Sequence, residues 1–326
     1  MPERVDLMAE PDRNLALELV RATEAAAIRA VPFIGKGDKL AADGAAVDAM
    51  RAFLATVHFA GVVVIGEGEK DKAPMLFNGE HVGNGDGPQA DIAVDPIDGT
   101  TMTAQGRQNA LSMIAVSDRH TMLDASSVFY MEKLVTDSHG IGVCSLEQSI
   151  GDNIRELAKA KRKDVGDMVI AVLDRPRHQE LIEEIRAAGA GTRLLLDGDV
   201  AGGINAARYE TRIDICVGTG GSPEGVVTAC AIKALGGFIQ GRLAPKDDAE
   251  RARGEAAGLD LERIYDADGL VSGNNTMFVA TGVTDGGLVE GVRRKGPIIR
   301  TESIVLRSRS GTLRRIVSDH VAERWL

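Results

Sequence analysis

Apolar positions along the chain first recur at helical spacing. Leu15, Leu19, Ala22 and Ala26 form one stripe within 13–31, with Pro11-Asp12 ahead of it as a capped start and Pro32 as its stop. A second helical pattern opens at Asp43-Gly44, which places Asp43 as a cap, and carries Val47, Met50, Phe53 and Leu54 on one face. The pattern then shortens. Residues 61–65 are an apolar run leading into Gly66-Glu67-Gly68-Glu69, and 91–94 are another that ends at Asp95-Pro96-Ile97-Asp98-Gly99-Thr100. Both read as strands, as do 110–116 and 127–135.

From residue 168 onward strands and helices alternate: strands over 168–173, 192–196, 213–217 and 237–240, helices over 177–188, 199–207 and 224–235. Such alternation predicts right-handed crossovers and a parallel sheet covered on both faces. The first part instead has its helices before its strands. The fold class is therefore α/β in a layered, α+β form, with a βαβ parallel sheet in the C-terminal part. Two subdomains are expected, 1–160 and 161–326, meeting near 150–166. The charged stretch 246–262 predicts a surface helix.

Composition changes this picture only at the margins. The 326 residues are 44% hydrophobic and 26% charged, which suits one large domain or two subdomains with a substantial core. The formal charge of −10 gives no basic footprint for nucleic acid. The 38 glycines cluster in short loops, where a backbone can approach a ligand closely. Cys144, Cys216 and Cys230 have no metal-type spacing and read as small buried hydrophobes. No apolar run reaches the ~18 residues of a membrane helix, and the start of the sequence has no apolar signal core. A cytoplasmic protein with no membrane or nucleic-acid partner is expected.

The chemistry lies in where the acids fall. Glu67 and Glu69 follow one strand, Asp95 and Asp98 follow another, and Glu224 opens a helix after a glycine-rich turn that itself follows a strand. Ligands of α/β folds bind at the carboxyl ends of strands. Acids converging there without adjacent bases repel one another unless cations intervene, and oxygen-only sites suit Mg2+ or Mn2+. In Asp95-Pro96-Ile97-Asp98-Gly99-Thr100, Pro96 stiffens the turn after the strand. Asp95 and Asp98 then aim at one metal cluster, Gly99 lets backbone approach a phosphoryl group, and Thr100 adds a hydroxyl. A plain turn with Thr100 as a helix cap is the alternative. None of the six histidines has ligand spacing, and His178 reads as structural.

The run D-P-I-D-G-T preceded by G-E-G-E resembles the signature of the metal-dependent, lithium-sensitive phosphatase superfamily. The rest narrows it. G-K-G-D-K (35–39), A-D-G-A-A-V (42–47), I-G-E-G-E-K-D (65–71), A-P-M-L (73–76), D-P-I-D-G-T (95–100), Y-M-E-K-L (130–134), R-P-R-H (175–178), D-G-D-V-A (197–201), G-G-S-P-E-G (220–225) and S-G-N-N (272–275) occur in that order. This set is similar to class II (GlpX-type) fructose-1,6-bisphosphatases over nearly the full length. The resemblance implies the sugar-phosphatase fold of alternating helix and sheet layers. It also implies hydrolysis of fructose 1,6-bisphosphate to fructose 6-phosphate and phosphate, a gluconeogenic step, with Mg2+ or Mn2+ as cofactor and a homodimer or homotetramer as the assembly.

Carried over residue by residue, the resemblance makes Asp43, Glu67, Asp95, Asp98 and Glu224 the metal ligands. It makes Thr100 the group that orients the attacking water, with Asp43 and Glu67 as its catalytic partners. Lys39, Asp98, Gly99, Thr100, Tyr130, Arg175, Arg177, Asp197 and Asp199 fall at substrate-contacting positions. Arg175 and Arg177 are suited to grip the phosphate that stays, while Asp199 could equally serve only as the N-cap of its helix. Other members often have Glu where Asp98 stands.

Three rivals remain in view. Sedoheptulose 1,7-bisphosphate presents the same ketose 1-phosphate end, whereas inositol phosphatases usually carry W-I-D-P and W-D motifs that this chain lacks. Gly218-Thr219-Gly220-Gly221 between a strand and a helix suggests a nucleotide-binding oxidoreductase, but its spacing is not G-x-G-x-x-G. A non-catalytic sugar-phosphate sensor would have no use for Thr100.

Overall fold

The structure is a computed structural model that describes residues 13–68 and 75–325. Helices α1 (Leu15–Ala30) and α2 (Lys39–Leu54) are followed by strands β1 (Ala60–Ile65), β2 (His81–Val82) and β3 (Gln89–Asp98). The short helix α3 (Thr100–Ala104) and strand β4 (Leu111–Asp118) come next. The middle of the chain holds β5 (Tyr130–Thr136), α4 (Ile150–Lys161), β6 (Val169–Leu173), α5 (Gln179–Ala187), β7 (Gly191–Leu195) and α6 (Asp199–Ala206). It continues with β8 (Ile215–Gly221), α7 (Ser222–Leu235), β9 (Phe238–Leu243), α8 (Asp248–Ala256), β10 (Tyr265–Asp266) and α9 (Ala267–Leu270). Four strands close the chain: β11 (Met277–Gly282), β12 (Arg293–Lys295), β13 (Ile298–Arg307) and β14 (Thr312–Val321).

The chain divides into two compact units, Met1–Thr121 with Gly273–Leu326, and Met122–Ser272. This differs from a single boundary near 150–166. The reason is β11, which returns to pair antiparallel with β4 and brings β12, β13 and β14 into the first unit's sheet. That sheet has eight strands in the order β12-β13-β11-β4-β3-β1-β2, with β14 on β13. Against it pack Ala16, Leu19, Ala22, Ala26 and Ala30 of α1 and Ala42, Ala46, Met50 and Leu54 of α2. Alanine-rich faces let the two helices approach each other and the sheet closely.

Two helix starts differ from the sequence reading. Asn14 caps α1, its side chain accepting from the Ala16 N–H, while Pro11-Asp12 lies outside the described residues. Asp38 caps α2 by accepting from the Ala41 N–H at 3.0 Å, so Asp43 sits a turn inside the helix rather than at its start. The two acids compete for one role, and the one whose carboxylate reaches an orphan N–H wins.

The second unit holds a six-stranded mixed sheet, β10-β9-β5-β8-β6-β7. Only β7, β6 and β8 run parallel. β5 joins antiparallel to β8 and to β9, so the expected parallel sheet covers half of the layer. Ile154 and Leu157 of α4 and Ile182 and Ile185 of α5 pack with Ile170, Val172 and Ile215 of the sheet. Burying each such side chain stabilises the unit by about 1.5–3 kcal/mol.

Candidate active site

In the first unit β1 and β3 are parallel neighbours, so their carboxyl ends, and the acids following them, emerge side by side. The β1 end is tightly built. Glu67 donates its N–H to the Leu76 carbonyl at 2.9 Å, and Gly66 donates its own to the Asn78 side chain at 2.9 Å. A Cβ on Gly66 would lie 2.0 Å from the Leu76 oxygen, so only glycine fits there. Glu69 lies outside the described residues.

The β3 end is not the turn expected from Asp-Pro. The strand continues to Asp98, and its register against β4 slips between Asp95 and Asp98, opposite Met113 and Leu111. This is a β-bulge, where Pro96 forfeits no ladder hydrogen bond that the sheet needs. Asp98 is buried and Asp95 half-buried. Gly99 follows at φ 91°, a left-handed turn that suits glycine, and Thr100 opens α3, half-buried. The loop before α2 is pinned to α3: Gly35 and Gly37 donate to the Thr103 and Ala104 carbonyls at 2.9 and 2.8 Å. The α2 helix also packs on α3 and β3. Asp43 is half-buried on α2, and Lys39 is exposed at its start.

Electrostatics single out two of these acids. Burial pushes the Asp43 carboxyl above the usual carboxylate range. Burial and then the charge of Asp43 push Glu67 up to about 7. Like-charged carboxyls out of water are costly unless a proton or a cation accompanies them.

In the second unit the parallel strands again gather the expected residues at one end. Arg175 follows β6, Asp197 follows β7, and Glu224 follows β8 on α7. Tyr130 starts β5 opposite Gly221, the last residue of β8. Arg175 donates to the Leu196 carbonyl at 2.6 Å and pairs with Asp197 at 3.4 Å. Arg177 donates twice to the Thr219 carbonyl, at 3.0 and 2.7 Å, and its guanidinium lies 4.9 Å from the centre of the Tyr130 ring. The two arginines are therefore anchored to different strand ends. Asp199 is the first residue of α6, and Gly198 is its cap, so the capping alternative for Asp199 falls away. Instead Asp199 forms an ion pair with Lys133. Burial raises the Glu224 carboxyl, against which Lys133 acts to lower it, and Oε2 of Glu224 is buried with no hydrogen-bond partner among the described residues.

The first unit's donors fit a hard divalent cation in kind: carboxylates of Glu67, Asp95 and Asp98 at strand ends and of Asp43 on α2, two of them with pKa values raised by burial. Among the described residues no three acidic, histidine or cysteine side chains draw close enough together to hold an ion.

Residues 13–320 match the family described as bacterial fructose-1,6-bisphosphatase, glpX-encoded. The chain belongs to this family. It is similar to the class 2 fructose-1,6-bisphosphatase of Haemophilus influenzae, with 43% identity over 322 residues, 95% of this chain and 96% of the relative. It is also similar to fructose-1,6-bisphosphatase 1 class 2 of Escherichia coli strain K12, with 42% identity over 325 residues and 96% of each. The resemblance carried by the ten motifs is thus borne out, and the chain is a hydrolase of this class. No helix among the described residues is long and apolar enough to cross a membrane.

One residue escaped the sequence reading, and a second, His178, shows how its structural role is built. Lys133 is buried, although a strand lysine ordinarily reads as solvated. His178, read only as structural, bridges two strand ends: its Nδ1 is 2.8 Å from the Leu173 carbonyl and its Nε2 accepts from the Thr219 N–H at 2.8 Å. Those partners fix a neutral ring with the proton on Nδ1, and burial, countered only in part by these bonds, lowers its pKa. The glycine run that suggested a nucleotide cradle has another use. A Cβ on Gly220 would lie 2.1 Å from Asp199 Oδ2, and one on Gly221 would lie 1.8 Å from Glu224 Oε2. The glycines make room for charged side chains.

Proposed function

We propose that this chain hydrolyses the 1-phosphate of fructose 1,6-bisphosphate with the help of Mg2+ or Mn2+, releasing fructose 6-phosphate and phosphate. The observation that carries the reading is the pairing of acid-bearing ends on adjacent parallel strands, Glu67 after β1 and Asp95 and Asp98 at the end of β3, with Thr100 directly after them. Membership of the family supports the substrate.

Asp43, Glu67, Asp95 and Asp98, all in the first unit, are the residues that would hold the cation, and the family motif adds Glu224 as a further ligand. When bound, it offsets phosphoryl charge and makes water nucleophilic at neutral pH. The Thr100 hydroxyl orients the attacking water and relays the proton that this water gives up toward the Asp43 carboxylate. Gly99 lets the backbone approach the phosphoryl group.

In the second unit Arg175 and Arg177 supply charge for the phosphate that is not cleaved, and the anchoring of Arg177 at Thr219 and Tyr130 orients it beforehand. Lys39 adds a further cation, and Asp197 and Asp199 accept from sugar hydroxyls. The test is phosphate release from fructose 1,6-bisphosphate with Mg2+ or Mn2+ and again with a chelator. Release that survives complete chelation would sink the reading.

A further inference from the structure

We propose that Lys133 is a positioning residue of this reaction, a buried ammonium that fixes the Asp199 carboxylate and the Gly221 carbonyl in the orientation the sugar requires. The inference rests on the function proposed above.

Lys133 lies in the middle of β5, 6% exposed, and is the one lysine in the buried class among the described residues. Both neighbouring strands present glycine beside it, Gly218 on β8 and Gly241 on β9. A Cβ on Gly225 would come within 3.3 Å of its stem. Gly225 therefore leaves room for the stem, whereas a Cβ on Gly218 or Gly241 would meet His178 or Met131 instead. Its ammonium forms the ion pair with Asp199 and donates to the Gly221 carbonyl at 3.0 Å. A Cβ on Gly220 would lie 2.9 Å from Nζ and 2.1 Å from Asp199 Oδ2, so the glycine run is shaped around this pair.

Stability does not account for such a group. Well-packed apolar residues commonly serve as well as a buried ion pair, or better. What the charge does here is local. It holds one acid of the D-G-D motif and the backbone of the G-G-S-P-E-G motif against a single point. Among the described residues Lys133 is the one donor that reaches the Asp199 carboxylate. Without Lys133 the side chain would be free to turn, and binding would have to order it.

The test is a double-mutant cycle on the whole chain, with wild-type turnover measured first. No phosphate release from fructose 1,6-bisphosphate by the wild type, with either cation, would overturn the underlying reading rather than this inference. Given activity, Lys133→Met should raise KM by roughly tenfold and leave kcat within about threefold, the split expected of lost ground-state positioning. Asp199→Asn should do the same. The double variant should be no worse than the weaker single, because both act through one contact.

Gly220→Ala keeps both charges but displaces the pair, and should raise KM several-fold. It also carries the test if Lys133→Met does not fold, as does the double variant, which buries no lone charge. An unchanged KM in Gly220→Ala and in folded Lys133→Met would overturn the inference. So would additive effects in the cycle, which would mean that Lys133 touches the substrate independently of Asp199.

Discussion

A carboxyl partly withdrawn from water beside a second carboxylate holds its proton more tightly, unless a cation replaces it, and Glu67 is in that position. Its folded pKa, about 7, stands above the ordinary 4.5, so the folded state binds the proton more tightly than the unfolded chain. Stability of the metal-free protein should therefore fall as pH rises from 4.5 through about 7. Thermal melts in chelator should show this loss in the wild type and a smaller one in Glu67→Gln. The same variant should need more divalent ion for half-maximal activity, and an unaltered metal titration would remove Glu67 from the ligand set. Thr100→Ala should lower kcat by about 10²-fold or more with KM nearly unchanged, as measured by steady-state phosphate release. Most of these residues were legible in the sequence because acids at strand ends are conspicuous. Lys133 was not: its burial depends on Gly220 and Gly225, distant in sequence, leaving room for its side chain, which no local pattern reveals.

The bulge in β3 shows how an element sets up the chemistry. An extra residue between two strand partners redirects Asp95 and Asp98 without ending the strand, which a reading of Asp-Pro as a turn misses. The loop after β1 is equally constrained. Gly66→Ala would push the Leu76 carbonyl away and with it the Glu67 backbone, so its metal titration should shift as that of Glu67→Gln does. Elsewhere the second unit depends on a buried ion network. Asp214 bonds to Lys161 at 2.9 Å, to Lys163 at 2.6 Å and to the Val169 N–H at 2.9 Å. Burial alone would raise its pKa, but these partners outweigh burial and hold it below the usual 3.8. Its stabilisation is therefore present above that value and lost as pH falls through the lower, folded one. Asp214→Ala should cost about 3 kcal/mol in urea unfolding, because it leaves Lys163 without its partner, Lys161 with Asp137 alone and the Val169 N–H without its acceptor. The final strands were the least legible elements. β14 has a single buried position, His320, with polar residues on both faces, and β12 is three basic residues, so neither shows the apolar alternation of a half-buried strand in its sequence.

At the scale of the whole molecule, a formal charge of −10 has to be reconciled with a doubly phosphorylated substrate. The reconciliation proposed here is local: a divalent cation on the acids, and anchored arginines for the second phosphate. The two-unit division came from the return of β11 to β4, a long-range pairing that element order alone does not disclose. The claim on which the rest depends is metal-dependent cleavage at the 1-position. Phosphorus NMR of fructose 1,6-bisphosphate incubated with the protein tests it most directly, with Mg2+ or Mn2+, with chelator, and beside inositol 1-phosphate. The prediction is loss of the 1-phosphate resonance, growth of inorganic phosphate, retention of the 6-phosphate, and no change in the chelated or inositol samples. Cleavage of inositol 1-phosphate in place of the bisphosphate, or loss of the 6-phosphate first, would contradict it.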